Sequence, residues 1–209
     1  MHIYVFGSLC RGDIAEDSDV DLLALVEGFD KRFDPNTYSI YSYGRIQELW
    51  HEGNPFAWHL SLESKLVFAS DNADYIALLG PPDPYKRCSM DCEKFFSLFM
   101  QSYATLLTPC PSVVFELSTL FLSIRNIATC YSLGMLGVPC FSRDSALRLG
   151  SDSVPLPAEV FSILKRSRIL STRGCGENIE REELVMVMKH LEEVKLWMNA
   201  LVGRARKDG

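Results

Sequence analysis

The sequence predicts an α+β protein: a small mixed sheet within residues 1–80, then an all-helical bundle over residues 85–209. Three observations lead to this. Short apolar runs alternate with capped helical stretches as far as residue 79. Gly80-Pro81-Pro82-Asp83-Pro84 then interrupts the chain, because such a run neither continues a helix nor fits a central strand. Beyond it, apolar residues recur with the 3.6-residue period of helices.

Each element has its own local signal. His2-Ile3-Tyr4-Val5-Phe6 is apolar and β-prone, and ends at Gly7. Val20 to Val26 reads as a second, mostly buried strand, and Thr37 to Tyr43 as a third. Ser42 is placed to cap a helix running to His51, which Gly53 stops. Asn54-Pro55 is a cap followed by a residue preset for a first turn, so a helix should run from Pro55 to Glu63. Lys65 to Ala69 completes a four-stranded mixed sheet, and a short helix covers 72–79. In the second half the pattern predicts helices over 89–107, 112–135, 142–150, 157–171 and 179–202, the last with a stripe of Leu184, Val187, Met188, Leu191 and Val194.

Composition bounds the function. The chain has 209 residues, 47% hydrophobic and 23% charged, with net charge −6. A global basic field for nucleic acid is absent, so a nucleic-acid partner is not expected. The basic tail Arg204-Ala205-Arg206-Lys207 suits a solvated helix end. Seven scattered cysteines, without a leader pattern, fit a reduced, cytoplasmic protein, and the apolar stretch Val113 to Ile127 carries Glu116 and Arg125 and is too short to span a membrane. Cys88 and Cys92 have no second ligand pair nearby, as zinc would need. Arg45 and His51 share a spacing found in ribonucleases but sit outside the helical half, and the pairing is read as chance. His59 reads as a packed or capping histidine, and Cys10 as a small loop filler.

The informative segment is Phe6-Gly7-Ser8-Leu9-Cys10-Arg11-Gly12, followed by Ser18-Asp19-Val20-Asp21-Leu22. Gly7 lacks a Cβ, so the backbone can turn sharply and approach a phosphate. Ser8 offers a hydroxyl and an amide, and a short helix begun within residues 9–16 would add amides. Arg11 is placed to assist in binding the phosphates. Asp19 and Asp21 are two apart on a strand and share a face, while Val20 should point into the core. Two carboxylates beside a phosphate cradle suit Mg²⁺, and two such ions can clamp an in-line displacement. A calcium loop starting at Asp17 is rejected, because its sixth and twelfth positions hold Leu22 and Gly28.

These residues resemble the minimal nucleotidyltransferases of the DNA polymerase β superfamily, whose signature is Gly-Ser, ten residues, then Asp-x-Asp. The resemblance is specific over residues 3–26 and extends to about residue 70. Helical domains follow the catalytic one in kanamycin-type nucleotidyltransferases and in relatives of the HEPN family. It implies ATP or another NTP as substrate, held by Gly7, Ser8 and Arg11, with Mg²⁺ (two ions) on the catalytic pair Asp19 and Asp21. It implies transfer of a nucleotidyl group, most simply AMP, to a hydroxyl of a small molecule or a protein. It also implies that the helical half supplies the other wall of the cleft, with Glu116 a candidate base; a homodimer is one admissible assembly. Family members usually add a third carboxylate from a later strand, and the strand at 37–43 has none. Asp34, Glu48 and Glu63 lie nearby without the expected setting. The alternative is therefore an impaired nucleotide-binding or partner-binding protein, regulatory and antitoxin-like.

Overall fold

The computed structural model describes residues 1–13, 20–28 and 30–207, in two units, Met1–Lys86 and Arg87–Gly209. Asp17 and Asp19, and residues 14–16 of the helix expected within 9–16, lie outside the described residues.

The first unit holds β1 (His2–Phe6), α1 (Ser8–Arg11), β2 (Asp21–Val26), β3 (Tyr38–Ser42), α2 (Tyr43–His51), α3 (Pro55–Glu63), β4 (Ser64–Ala69) and α4 (Tyr75–Leu79). The strand order is β3-β2-β1-β4. β1 pairs antiparallel with both neighbours, and β2 pairs parallel with β3, so the sheet is mixed. Alternation along the strands separates two faces. Tyr4, Phe6, Leu23 and Leu25 pack with Ile46, Leu49 and Trp50 of α2, Ala57 and Leu60 of α3, and Ile76 of α4. The other face gathers Ala24, Val26 and Phe33 with Ile3, Tyr38 and Ile40.

The caps behave as their side chains dictate. Ser42 Oγ accepts from the Arg45 amide at 3.1 Å, and Asn54 Oδ1 from the Phe56 amide at 2.9 Å. α3 ends at Glu63 and β4 begins at Ser64, with no residue between them.

Val20 departs from expectation. It is 55% exposed rather than core. β1 ends at Phe6, opposite Asp21, so pairing starts at Asp21 and Val20 lies beyond the last rung.

The segment Gly80–Pro84 belongs to the first unit and is bound to it. Trp50 Nε1 donates to the Gly80 carbonyl at 2.9 Å and Trp58 Nε1 to the Asp83 carbonyl at 3.1 Å. The Asp83 amide donates to the Trp50 carbonyl at 3.0 Å. A Cβ on Gly53 would lie 2.4 Å from the Asp83 carbonyl oxygen, so this crossing needs a glycine. Proline excludes regular structure here, but the indole donors still fasten the segment.

The second unit is built from α5 (Cys88–Leu106), α6 (Val113–Gly134), α7 (Ala158–Arg173) and α8 (Arg181–Lys207). α6 is long and apolar enough to cross a membrane by length and composition alone. Its residues Leu117, Leu120, Phe121, Ile124, Ile127 and Ala128 are buried, and it packs on α5, α7 and α8 as the central helix of this unit. The expected helix over 142–150 is instead two 3₁₀ turns, Ser145–Leu147 and Gly150–Asp152. Serine side chains there compete with the helical ladder: Ser142 Oγ accepts from the Asp144 amide at 3.2 Å, and Ser145 Oγ donates to the Arg125 carbonyl at 3.0 Å. Arg125 itself bonds the carbonyls of Phe141 and Ser142 and fastens this stretch to α6.

Candidate active site

The site forms where β1 ends. Gly7 follows Phe6 with φ 77 and ψ −137, a backbone that side chains avoid. The single turn α1 starts at once, so the amides of Ser8 and Leu9 have no carbonyl one turn back within it. Among the described residues the Ser8 hydroxyl has no partner, and the Ser8 carbonyl accepts from the Asp13 amide at 3.0 Å. The Ser8 hydroxyl and the amides of Ser8 and Leu9 are the donors available to an anion.

Asp21 opens β2 directly opposite Phe6. Its Oδ2 lies 2.6 Å from where a Cβ on Gly7 would stand. The missing side chain of Gly7 is thus the space that lets this carboxylate reach the turn. In this structure the group that approaches Gly7 is an aspartate, not a phosphate.

The other flank of β1 supplies an acid that sequence reasoning set aside. Ser64 pairs with Phe6, which puts Glu63 beside Gly7. The Gly7 amide donates to the Glu63 carbonyl at 3.1 Å. Asp21 and Glu63 therefore come from the two strands' ends that bracket β1. The missing signal was topological: β3, where the third acid was sought, is two strands away from β1, whereas β4 is its neighbour.

Glu63 is held by Arg11 and His59. Its Oε2 pairs with Arg11 Nη1 and lies 3.0 Å from His59 Nε2. Arg11 Nε also bonds Asp13 Oδ2 at 3.1 Å. Burial pushes the Glu63 carboxyl up, but the contacts with His59 and Arg11 outweigh it and hold its pKa below the usual carboxylate value. Burial alone would lower the Arg11 pKa, and its bonds to Glu63 and Asp13 raise it. Arg11 was expected to face phosphate; in this structure its guanidinium is engaged by two acids. Cys10 is a packed residue, its thiol donating to the Val5 carbonyl at 3.4 Å and its pKa raised by burial. Among the described residues no three His, Cys, Asp or Glu side chains gather as a metal site. Asp21 contributes a hard oxygen donor, of the kind Mg²⁺ takes.

A glycine turn after a central strand, with one acid on each flank, defines the class. Residues 2–79 match the family described as nucleotidyltransferase domain. The match of that segment supports an enzyme of the nucleotidyltransferase class. A solved structure with a similar fold is the spectinomycin adenyltransferase of Enterococcus faecialis, with ATP and spectinomycin. It is 13% identical, with a TM-score of 0.50 over 99% of this chain and 91% of that one. That likeness is one of fold. No curated protein matches the chain.

Proposed function

We propose that this chain moves a nucleotidyl group, AMP from ATP in the simplest case, onto a hydroxyl of a small molecule. The observation that supports it most is the bracketing of Gly7 by Asp21 and Glu63. Gly7, Ser8 and the first amides of α1 take the triphosphate. Asp21, with Asp19, is the residue set for Mg²⁺, which supplies charge neutralisation at the phosphates. Glu63, whose pKa its contacts with His59 and Arg11 hold low, accepts the proton of the acceptor hydroxyl as that oxygen attacks the α-phosphorus and pyrophosphate leaves. Arg11, at the end of α1, is placed to pass from Glu63 to the phosphates.

The non-catalytic alternative arose from the lack of a third acid. Glu63, fixed to the Gly7 turn, answers that lack and favours turnover. The test is pyrophosphate release from ATP and Mg²⁺, with spectinomycin as the first acceptor and other aminocyclitols and aminoglycosides beside it. Acceptor-dependent release with an adenylylated product supports the reading. ATP binding without release by any acceptor would return the chain to the binding-protein alternative.

A further inference from the structure

His59 sits one helical turn before Glu63 on α3, and its Nε2 is 3.0 Å from Glu63 Oε2. The two side chains are 14% and 15% exposed, so neither contact partner is a solvated surface group. The imidazole is set against the Phe6 ring, with centroids 5.6 Å apart and planes at 79°, and more distantly against Phe56 at 6.5 Å. These edge contacts leave the ring little freedom to turn.

Glu63 is thus held in several places. Its backbone carbonyl is tied to the Gly7 amide, and one carboxylate oxygen, Oε2, meets both Arg11 and His59. Among the described residues no contact falls on Oε1, which is the oxygen left for a substrate. The two partners differ in what carries them. Arg11 ends the single turn α1 after β1, where a triphosphate would compete for its guanidinium. His59 belongs to α3, inside the packed unit, and its contact with Glu63 does not depend on that turn.

We infer that His59 is a positioning residue for Glu63: it holds Oε2 through Nε2 and keeps Oε1 aimed when nucleotide draws Arg11 away. The inference rests on the reading of Glu63 as proton acceptor. The ring holds the carboxylate through Nε2 only when that nitrogen carries a proton, so the inference requires a proton on Nε2.

Two measurements test it. Long-range ¹H–¹⁵N spectra of the histidine side chains, with His59 assigned from the loss of its signals in His59→Gln, should show a proton on Nε2. Glu63→Gln should shift the Nε2 resonance. A ring without a proton on Nε2, or one indifferent to Glu63→Gln, overturns the inference. In turnover with ATP, Mg²⁺ and an acceptor, His59→Phe should lower kcat about 10- to 100-fold, the scale of a misaimed reacting group. The KM for ATP should hold within about three-fold, and His59→Gln, which keeps a donor, should recover most of the loss. Unchanged kcat in His59→Phe overturns the inference, as does a loss that Gln does not rescue. Absence of turnover in the wild type overturns the functional reading instead, and the hold of His59 on Glu63 is then decided by the spectra alone.

Discussion

Asp21 Oδ2 stands 2.6 Å from the position of a Cβ on Gly7, so the aspartate and the glycine share one space. Gly7→Ala meets two penalties. The φ of 77 is strained for any side chain, at a cost of about 1–3 kcal/mol. The new methyl must also turn Asp21 aside. Rotation of a side chain is easy, so the steric part should appear in activity more than in stability. Expected is a modest fall in Tm, about 2–4 °C per kcal/mol for a chain of this size, with a far larger fall in turnover. Denaturation and pyrophosphate release on the same samples check this.

Asp21→Asn and Asp19→Asn keep shape and each remove one charge. Two carboxylates gathered on one metal site repel unless the cation lies between them. Apo stability should be unchanged or slightly raised. Turnover should fall at least ~10²-fold, the scale of losing one electrostatic stabiliser. Asp17→Asn, in the same segment, should cost much less. Full Mg²⁺-dependent activity in the Asp19 and Asp21 variants would remove the metal assignment.

The pH dependence of stability should report Glu63. Its pKa is lower folded than unfolded, so it binds fewer protons when native. Its contribution is present above the unfolded carboxylate value, about 4.3, and is lost as pH falls through the lower folded value. The stability gap between wild type and Glu63→Gln should be constant near neutrality and close below about pH 4. A gap that persists undiminished in acid would mean that Glu63 is not held by Arg11 and His59.

Thiol labelling should be ordered by burial. Cys175 is exposed and should react first; Cys88, Cys92 and Cys130 are buried and should react only on opening. Cys10 should be slow at neutral pH because burial raises its pKa. ATP with Mg²⁺ should slow it further by covering the loop. Mass spectrometry of timed alkylation reads each site.

The Gly80–Pro84 segment should resist proteases in the native protein, because Trp50 and Trp58 fasten its carbonyls. Trp50→Phe removes one donor, worth about 0.5–1.5 kcal/mol for a hydrogen bond, along with some packing. Cleavage within 80–84 should appear in that variant before it appears in wild type.

Local signals carried most of the fold. Ser42, Asn54 and Pro55 mark helix starts with their own side chains, and the four strands were visible as apolar runs. The Gly7-Ser8 turn and Asp21 were legible because spacing along one chain segment brings them together. Glu63 was not legible, since its place depends on β4 choosing β1 as neighbour, a pairing of residues some sixty apart that no local pattern encodes. His59 followed it out of view. Val20 failed for a finer reason: strand parity says which way a side chain points, not where pairing begins. The indole bonds to Gly80 and Asp83 were equally hidden, because proline marks only the absence of regular structure.

The direct junction of α3 and β4 makes this region a poor place for insertions or deletions. Adding one residue before Glu63 would swing it by about 100° around the helix axis. Adding one after Ser64 would exchange the two faces of an edge strand. Relatives of this chain should therefore vary in length around 30–37, where the backbone is a loop, and keep a constant count from Asn54 to Ala69. A library of single-residue insertions would show the same contrast as a gap in the tolerated positions, centred on the one junction that has no slack.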